Sequence, residues 1–345
     1  MQAATYETFS GPITIQEVRD PVASPNGVII EVMATGICRS DWHGWKGHDQ
    51  DITLPHVPGH ELAGMVSDTG KNVKNWKPGD RVTLPFVCGC GTCEQCVSGN
   101  QQVCDHQFQP GFTHWGSFAE YIAIEYADIN LVRLPDDMAY ETAASLGCRF
   151  ATSFRAIVHQ GKVAEAQWVA VYGCGGVGLS AIMIANALGA YVVGVDISEE
   201  TLSIAKKVGS DVIINATNTD DIPELIREVS NGGVHVSIDA LGSVETCQNS
   251  VLSLRKRGKH IQVGLLAGKT PEIPMDTVVT NELELIGSHG IQAHAYPQIF
   301  EMIENGRLRP GDLISGRVSL QEGVNILENM DSYDTRGIVV INQFR

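Results

Sequence analysis

Apolar positions are spaced differently in the two halves of the chain. Over the first 150 or so residues they come in short β-branched runs, such as Gly27 to Val32 and Glu61 to Val66, broken by glycine, proline and polar residues. Such runs predict an irregular, mostly β domain. From about Thr152 the pattern lengthens and alternates. Apolar strands at Trp168 to Tyr172 and Tyr191 to Val195 are each followed by a stretch of helical spacing, Val177 to Leu188 and Glu199 to Val208. The rhythm continues through Val234 to Ala240, Val244 to Leu254, Lys259 to Gly264 and Glu284 to Gly287. Alternating strands and helices predict a parallel sheet of about six strands with crossover helices. A helical stretch, Tyr296 to Asn305, then precedes Leu313 to Leu320 and a closing strand, Gly337 to Ile341, and these are expected to fold back onto the first domain. The expected fold class is α/β, with residues 1–150 and 290–345 forming a discontinuous, mostly β domain and residues 151–289 a doubly wound one.

Length agrees, since 345 residues exceed what a single core usually organises. Apolar residues make up 43% and charged residues 19%, yet no apolar run approaches the roughly 20 residues that span a bilayer. Met1 to Ser10 lacks the basic and apolar regions of a secretory signal. The expectation is a cytoplasmic protein with no membrane partner. A net charge of -16 would repel a phosphate backbone, so no nucleic-acid partner is expected. The one basic run, Arg255 to Lys259, reads as a helix end and turn. Nine cysteines in this setting point to metal or catalytic use rather than disulfides.

Four of those cysteines form a ladder: Cys90, Cys93, Cys96 and Cys104, in a loop rich in glycine and polar residues. Four closely spaced thiolates complete a tetrahedral shell that suits structural zinc and leaves no place for substrate. On ligand type alone an iron–sulfur cluster is also compatible. Cys88, two residues upstream, is a spare thiol. Cys38, His60 and Cys148 are scattered, and each taken alone reads as core filler; what distinguishes them is company. Cys38 is followed by Ser40, Asp41 and His43, and His60 directly by Glu61.

Gly173-Cys174-Gly175-Gly176-Val177-Gly178 follows an apolar strand and opens a helix, and the next strand ends in Asp196. In that context the glycines allow a tight turn and close approach to a pyrophosphate at the helix N-terminus. Asp196 would accept hydrogen bonds from ribose hydroxyls and repel a 2′-phosphate, which favours NAD over NADP.

The run Cys38-Arg39-Ser40-Asp41-Trp42-His43, the segment Gly59-His60-Glu61, the cysteine ladder and Gly147-Cys148 together resemble the zinc-containing medium-chain alcohol dehydrogenases, in that family's order and over nearly the whole chain. The resemblance implies a Rossmann domain beside a GroES-like catalytic domain, two zinc ions per subunit and NAD. It implies that Cys38, His60 and Cys148 hold a catalytic zinc with Glu61 alongside, and that Asp41 orients His60. Arg39 and Arg336 would contact the pyrophosphate, Thr152 the nicotinamide, and Val263 would also belong to the cofactor site. Thr201 stands where NAD-preferring relatives often carry a lysine, which predicts modest cofactor affinity. Ser40 and His43 would relay a proton to solvent. Trp45, Phe86 and Trp115 would line the substrate pocket and lean it toward primary alcohols or aldehydes, short-chain or aromatic. Polyol, secondary-alcohol and amino-alcohol dehydrogenases share this framework, and a non-catalytic dinucleotide-binding relative is the remaining alternative. The chain resembles the microbial forms, so a homotetramer is expected, or a dimer.

Overall fold

Ten residues, Val28–Ile37, form the longest strand described by the computed structural model, which covers residues 1–331 and 337–344. In chain order the first strands are β1 (Gln2–Thr5), β2 (Thr14–Glu17), β3 (Val28–Ile37), β4 (Glu61–Thr69), β5 (Arg81–Thr83), β6 (Tyr121–Ile124) and β7 (Val132–Arg133). Then come β8 (Trp168–Tyr172), β9 (Tyr191–Asp196), β10 (Val212–Asn215), β11 (Val234–Asp239), β12 (Leu254–Gln262) and β13 (Glu284–Gly287), and last β14 (Ile314–Ser319) and β15 (Ile338–Gln343). The chain divides into two units. One comprises Met1–Ala151, Gly290–Glu304 and Arg309–Arg345, the other Thr152–His289 and Asn305–Leu308.

The first unit is built on a seven-stranded sheet in the order β14-β15-β3-β4-β5-β7, with β6 also paired to β3. Val28, Ile30 and Val32 alternate along β3 and bury against Leu62, Val82, Leu84 and Ile124. A second apolar cluster joins Ile37, Trp42 and Trp45 to Val324, Leu327 and Ile341. Antiparallel pairing sets Gly36 opposite Glu61 and Thr35 opposite Leu62. The exit of β3, which leads into Cys38, therefore lies beside the entry of β4, which His60 precedes.

The second unit is a fully parallel six-stranded sheet, β10-β9-β8-β11-β12-β13. Counted from β8, that order is 3-2-1-4-5-6, the doubly wound Rossmann arrangement. Its crossover helices include Gly176–Ala187, Glu199–Val208, Ile222–Val229 and Val244–Leu252. Ser198, Asp221 and Ser243 cap the last three by accepting from the backbone N–H of Thr201, Glu224 and Thr246. Strand β10 has no counterpart among the segments singled out in the sequence. It is a four-residue edge strand, too short for its alternation to register.

The basic run is a correction. The helix stops at Leu252, and Arg255 to Lys259 lie within β12 rather than in a helix end and turn. The run leads straight into the paired part of the strand: Lys259, its last residue, sits in register with Val236 of β11 and Glu284 of β13 and forms an ion pair with Glu284 at 3.4 Å. Within the run Arg257 takes φ 62°, and its N–H donates to Asn281 O at 2.7 Å.

Candidate metal centres and dinucleotide site

Cys38 leads into the helix Arg39–Trp45, and Asp41 in its first turn ties three segments together. Asp41 Oδ2 accepts from the Cys38 backbone N–H at 2.9 Å, and Oδ1 from the Gly59 N–H at 3.0 Å and from His60 Nδ1 at 2.7 Å. With Nδ1–H so engaged, the lone pair of His60 falls on Nε2. That atom is buried and has no hydrogen-bond partner among the described residues. Cys148 arrives on a π-helical turn, Leu146–Phe150. The donor atoms of Cys38, His60, Glu61 and Cys148 all lie within 4.8 Å of one another. Two thiols beside an imidazole nitrogen that no hydrogen bond uses fit a zinc ion.

A hydrogen bond from the Cys148 thiol holds Cys38 well below the ordinary cysteine range, and the same bond with burial raises Cys148. Burial pulls the His60 imidazole down, but the charge and hydrogen bond of Asp41 push it well above its usual value. Burial raises Glu61, against the opposing pull of Arg149.

The cysteine ladder closes on itself. Cys90, Cys93, Cys96 and Cys104 bring their sulfurs within 4.8 Å of one another. Backbone N–H groups of Thr92 and Cys93 point at Cys90 Sγ, and those of Cys90 and His106 at Cys104 Sγ. The Thr92 hydroxyl and these amides lower the Cys90 pKa to about 6, whereas burial lifts Cys96 to about 12. Four sulfurs, with Cys90 favoured as the thiolate by its backbone and hydroxyl donors, suit a structural zinc. Cys88 is outside the group: it packs in the β core, donates to Pro85 O at 3.7 Å, and burial raises its pKa.

In the second unit Gly173 takes φ 85°, and Gly175 precedes the helix Gly176–Ala187. A Cβ on Gly178 would collide with the carbonyl of Gly173, so glycine there lets helix and strand approach. A Cβ on Gly175 would meet nothing within 4 Å, which leaves the backbone open to a ligand beside Val177 at the helix start. Asp196 ends β9; its Oδ2 accepts from the Cys174 N–H at 2.7 Å and its Oδ1 from the Ser198 N–H at 3.0 Å, bracing the loop. Val263 follows β12 and donates to Asp239 O at 3.1 Å. The Thr152 hydroxyl is buried and has no partner among the described residues. Open backbone, helix terminus and carboxylate fit a dinucleotide.

Other expected residues fall as follows. Ser40 Oγ lies 3.7 Å from Cys38 Sγ. His43 Nδ1 and His48 Nδ1 share a hydrogen bond of 2.9 Å. Arg39 donates to Met330 O and Asp331 and stacks over Trp42 at 4.1 Å. Arg336 lies outside the described residues. Phe86 stands 6.0 Å from the His60 ring. Trp45 is buried in the core, with its indole N–H on Gly11 O at 2.8 Å, and Trp115 lines a separate surface pocket of about 560 Å³ with His56, Phe108 and His114. Sequence reasoning does not single out Phe112, 5.0 Å from His60, or Arg149, paired with Glu61. A charged residue directly after Cys148, in a stretch otherwise apolar or small, was the signal available for Arg149; Phe112 has none.

A glycine-loop sheet and a unit bearing soft metal donors occur together in the zinc-containing dehydrogenases, and comparison with known proteins sets the chain among them. Residues 24–136 match the family described as "Alcohol dehydrogenase GroES-like domain", and residues 176–305 the one described as "Zinc-binding dehydrogenase". An alcohol dehydrogenase of Geobacillus stearothermophilus is 36% identical over 293 residues, 84% of each chain. D-arabitol-phosphate dehydrogenase of Enterococcus avium is 33% identical over 306 residues, 88% of this chain and 86% of that one. The solved structure of alcohol dehydrogenase TADH from Thermus sp. ATN1 matches with a TM-score of 0.92 at 27% identity, over 100% of both chains. The chain belongs to the zinc-containing medium-chain alcohol dehydrogenase family.

Proposed function

We propose that the protein binds two zinc ions per subunit and NAD, and interconverts a primary alcohol, short-chain or aromatic, with its aldehyde. The observation that carries this reading is the buried, unpartnered Nε2 of His60 between the thiols of Cys38 and Cys148. When bound there, zinc supplies a Lewis acid that makes an alcohol hydroxyl acidic, and the nicotinamide supplies the hydride acceptor.

The chain's own residues do the rest. Asp41 fixes the tautomer and tilt of His60. Ser40, beside Cys38, takes the hydroxyl proton and passes it toward His43, whose partner His48 is solvent-exposed. Burial, His48 and Arg39 lower the His43 pKa, so the imidazole is neutral and able to accept that proton at neutral pH. Phe86 and Phe112 flank His60 and exclude water. The glycine loop from Gly173 to Gly178 receives the pyrophosphate, and Asp196 meets the adenosine ribose, which favours NAD.

Phe86 and Phe112 favour a flat, apolar substrate. A polyol is the second reading, supported by the similarity to D-arabitol-phosphate dehydrogenase. Steady-state rates over ethanol, benzyl alcohol, a secondary alcohol and sorbitol, with NAD and NADP, test the assignment. Fastest turnover on sorbitol overturns the primary-alcohol reading, and metal analysis giving about one zinc per subunit instead of about two removes the catalytic ion.

A homotetramer, or a dimer, is supported by the free edge of β13, around which Leu265, Met275, Val279 and Leu285 are exposed. Light scattering at assay concentration tests it. A cytoplasmic location accords with nine cysteines that form no disulfide.

A further inference from the structure

Glu61 is completely buried, and one of its oxygens lies within 4.8 Å of the donor atoms of Cys38, His60 and Cys148. A carboxylate so close to two thiols and an imidazole could complete a tetrahedral shell. Closed shells are structural, whereas catalytic ones keep a position for substrate. The choice between them turns on what else holds Glu61.

Both oxygens are engaged. Oε1 accepts from the backbone N–H groups of Cys148 at 3.1 Å and Arg149 at 3.0 Å, and from Arg149 Nε at 3.0 Å. Oε2 accepts from Arg149 Nη2. The guanidinium fork matches a carboxylate in a way no point charge does. The fold makes room for this pair: a Cβ on Gly36, the register partner of Glu61, would collide with Glu61 Oε2. Of the two buried carboxylates beside the thiols, Asp41 is taken up by His60 and the backbone of Cys38 and Gly59, and Glu61 by Arg149. Without the guanidinium, Glu61 is a buried anion whose nearest available cation is the metal.

We infer that Arg149 is a positioning residue that holds Glu61 out of the coordination shell of the catalytic zinc and so keeps its fourth position open to substrate. This rests on zinc being bound at Cys38, His60 and Cys148, as proposed above.

Cobalt(II) tests it, because its visible bands report coordination. The metal is exchanged into the full-length protein, and spectra are recorded during titration with imidazole, a probe of the fourth position. The parent spectrum is expected to shift on titration. In Arg149→Met the apparent imidazole affinity is expected to fall by about tenfold or more, with Arg149→Lys between the two. Arg149→Met combined with Glu61→Gln removes both buried charges and is expected to restore the parent response. Should Arg149→Met fail to load cobalt, a double variant that loads and responds like the parent supports the inference equally. An Arg149→Met chain that responds like the parent overturns it, as does a double variant that behaves like, or fails like, the single one. A parent that takes up no cobalt at this site overturns instead the zinc reading on which the inference rests.

Discussion

Asp41 Oδ1 lies 2.7 Å from His60 Nδ1, with both side chains fully buried. The same carboxylate accepts from the backbone of Cys38 and Gly59, so one side chain sets the positions of two metal donors. Asp41→Ala is expected to weaken zinc binding at this site by about 10- to 100-fold while the cysteine ladder keeps its ion. Competition with a chromophoric chelator measures both constants, and equal weakening at the two sites would contradict the local role.

Cys148→Ala removes one of the two thiols beside His60. Turnover is expected to disappear, zinc content to fall from about two to about one per subunit, and circular dichroism to stay unchanged. Normal activity in this variant would take Cys148 off the ligand set.

Cys104 and Cys88 provide a contrast within one loop. Cys104→Ala is expected to lose the structural zinc and lower the melting temperature. Cys88→Ala, which removes a thiol packed in the β core and bonded to Pro85 O, is expected to keep about two zinc ions per subunit. Loss of an ion from Cys88→Ala would reassign the ladder.

Asp196 carries two tasks, bracing the Cys174 N–H and, in the proposed function, meeting the ribose. Asp196→Ala is expected to reduce the ratio of kcat/KM for NAD over NADP by about an order of magnitude or more. An unchanged ratio would leave Asp196 only its bracing role.

Asp80 accepts two hydrogen bonds from the Arg133 guanidinium, at 2.8 and 3.1 Å, and these hold its carboxyl below its ordinary range. Because the folded value is the lower one, the stabilisation is present above the unfolded carboxyl's pKa of about 3.9 and is lost as pH falls through the folded value. Arg133 is half exposed, so the contribution is at most about 1 kcal/mol. Asp80→Asn is expected to destabilise the protein at pH 7, with the difference closing in acid. Urea denaturation of parent and variant across that range checks this, and a pH-independent difference would contradict it.

Much of the chemistry is local, and therefore legible along the chain. The ladder Cys90 to Cys104 spans one loop, and the glycine run sits between a strand and a helix whose hydrophobic periods are both clear. The parallel sheet was equally plain, apart from β10, a short edge strand, and the basic residues that open β12, which lead into its pairing with β11 and β13 at Lys259. Non-local features were not legible. Nothing in the order of residues says that Glu61 meets Arg149 or that Phe112 lies against His60. Trp45 sends its indole N–H to Gly11 O and packs among core residues, since helical spacing sets its face without saying what that face packs on.

The linear order of residues thus determined the donor types, the glycine loop and the alternation that builds the sheet, since each depends on neighbours a few positions apart. Only the tertiary structure decided how Cys38, His60 and Cys148 converge and which cation Glu61 binds. The reason is strand register: antiparallel pairing of Gly36 with Glu61 brings together groups that are far apart in the chain, and side-chain pattern alone leaves that pairing open.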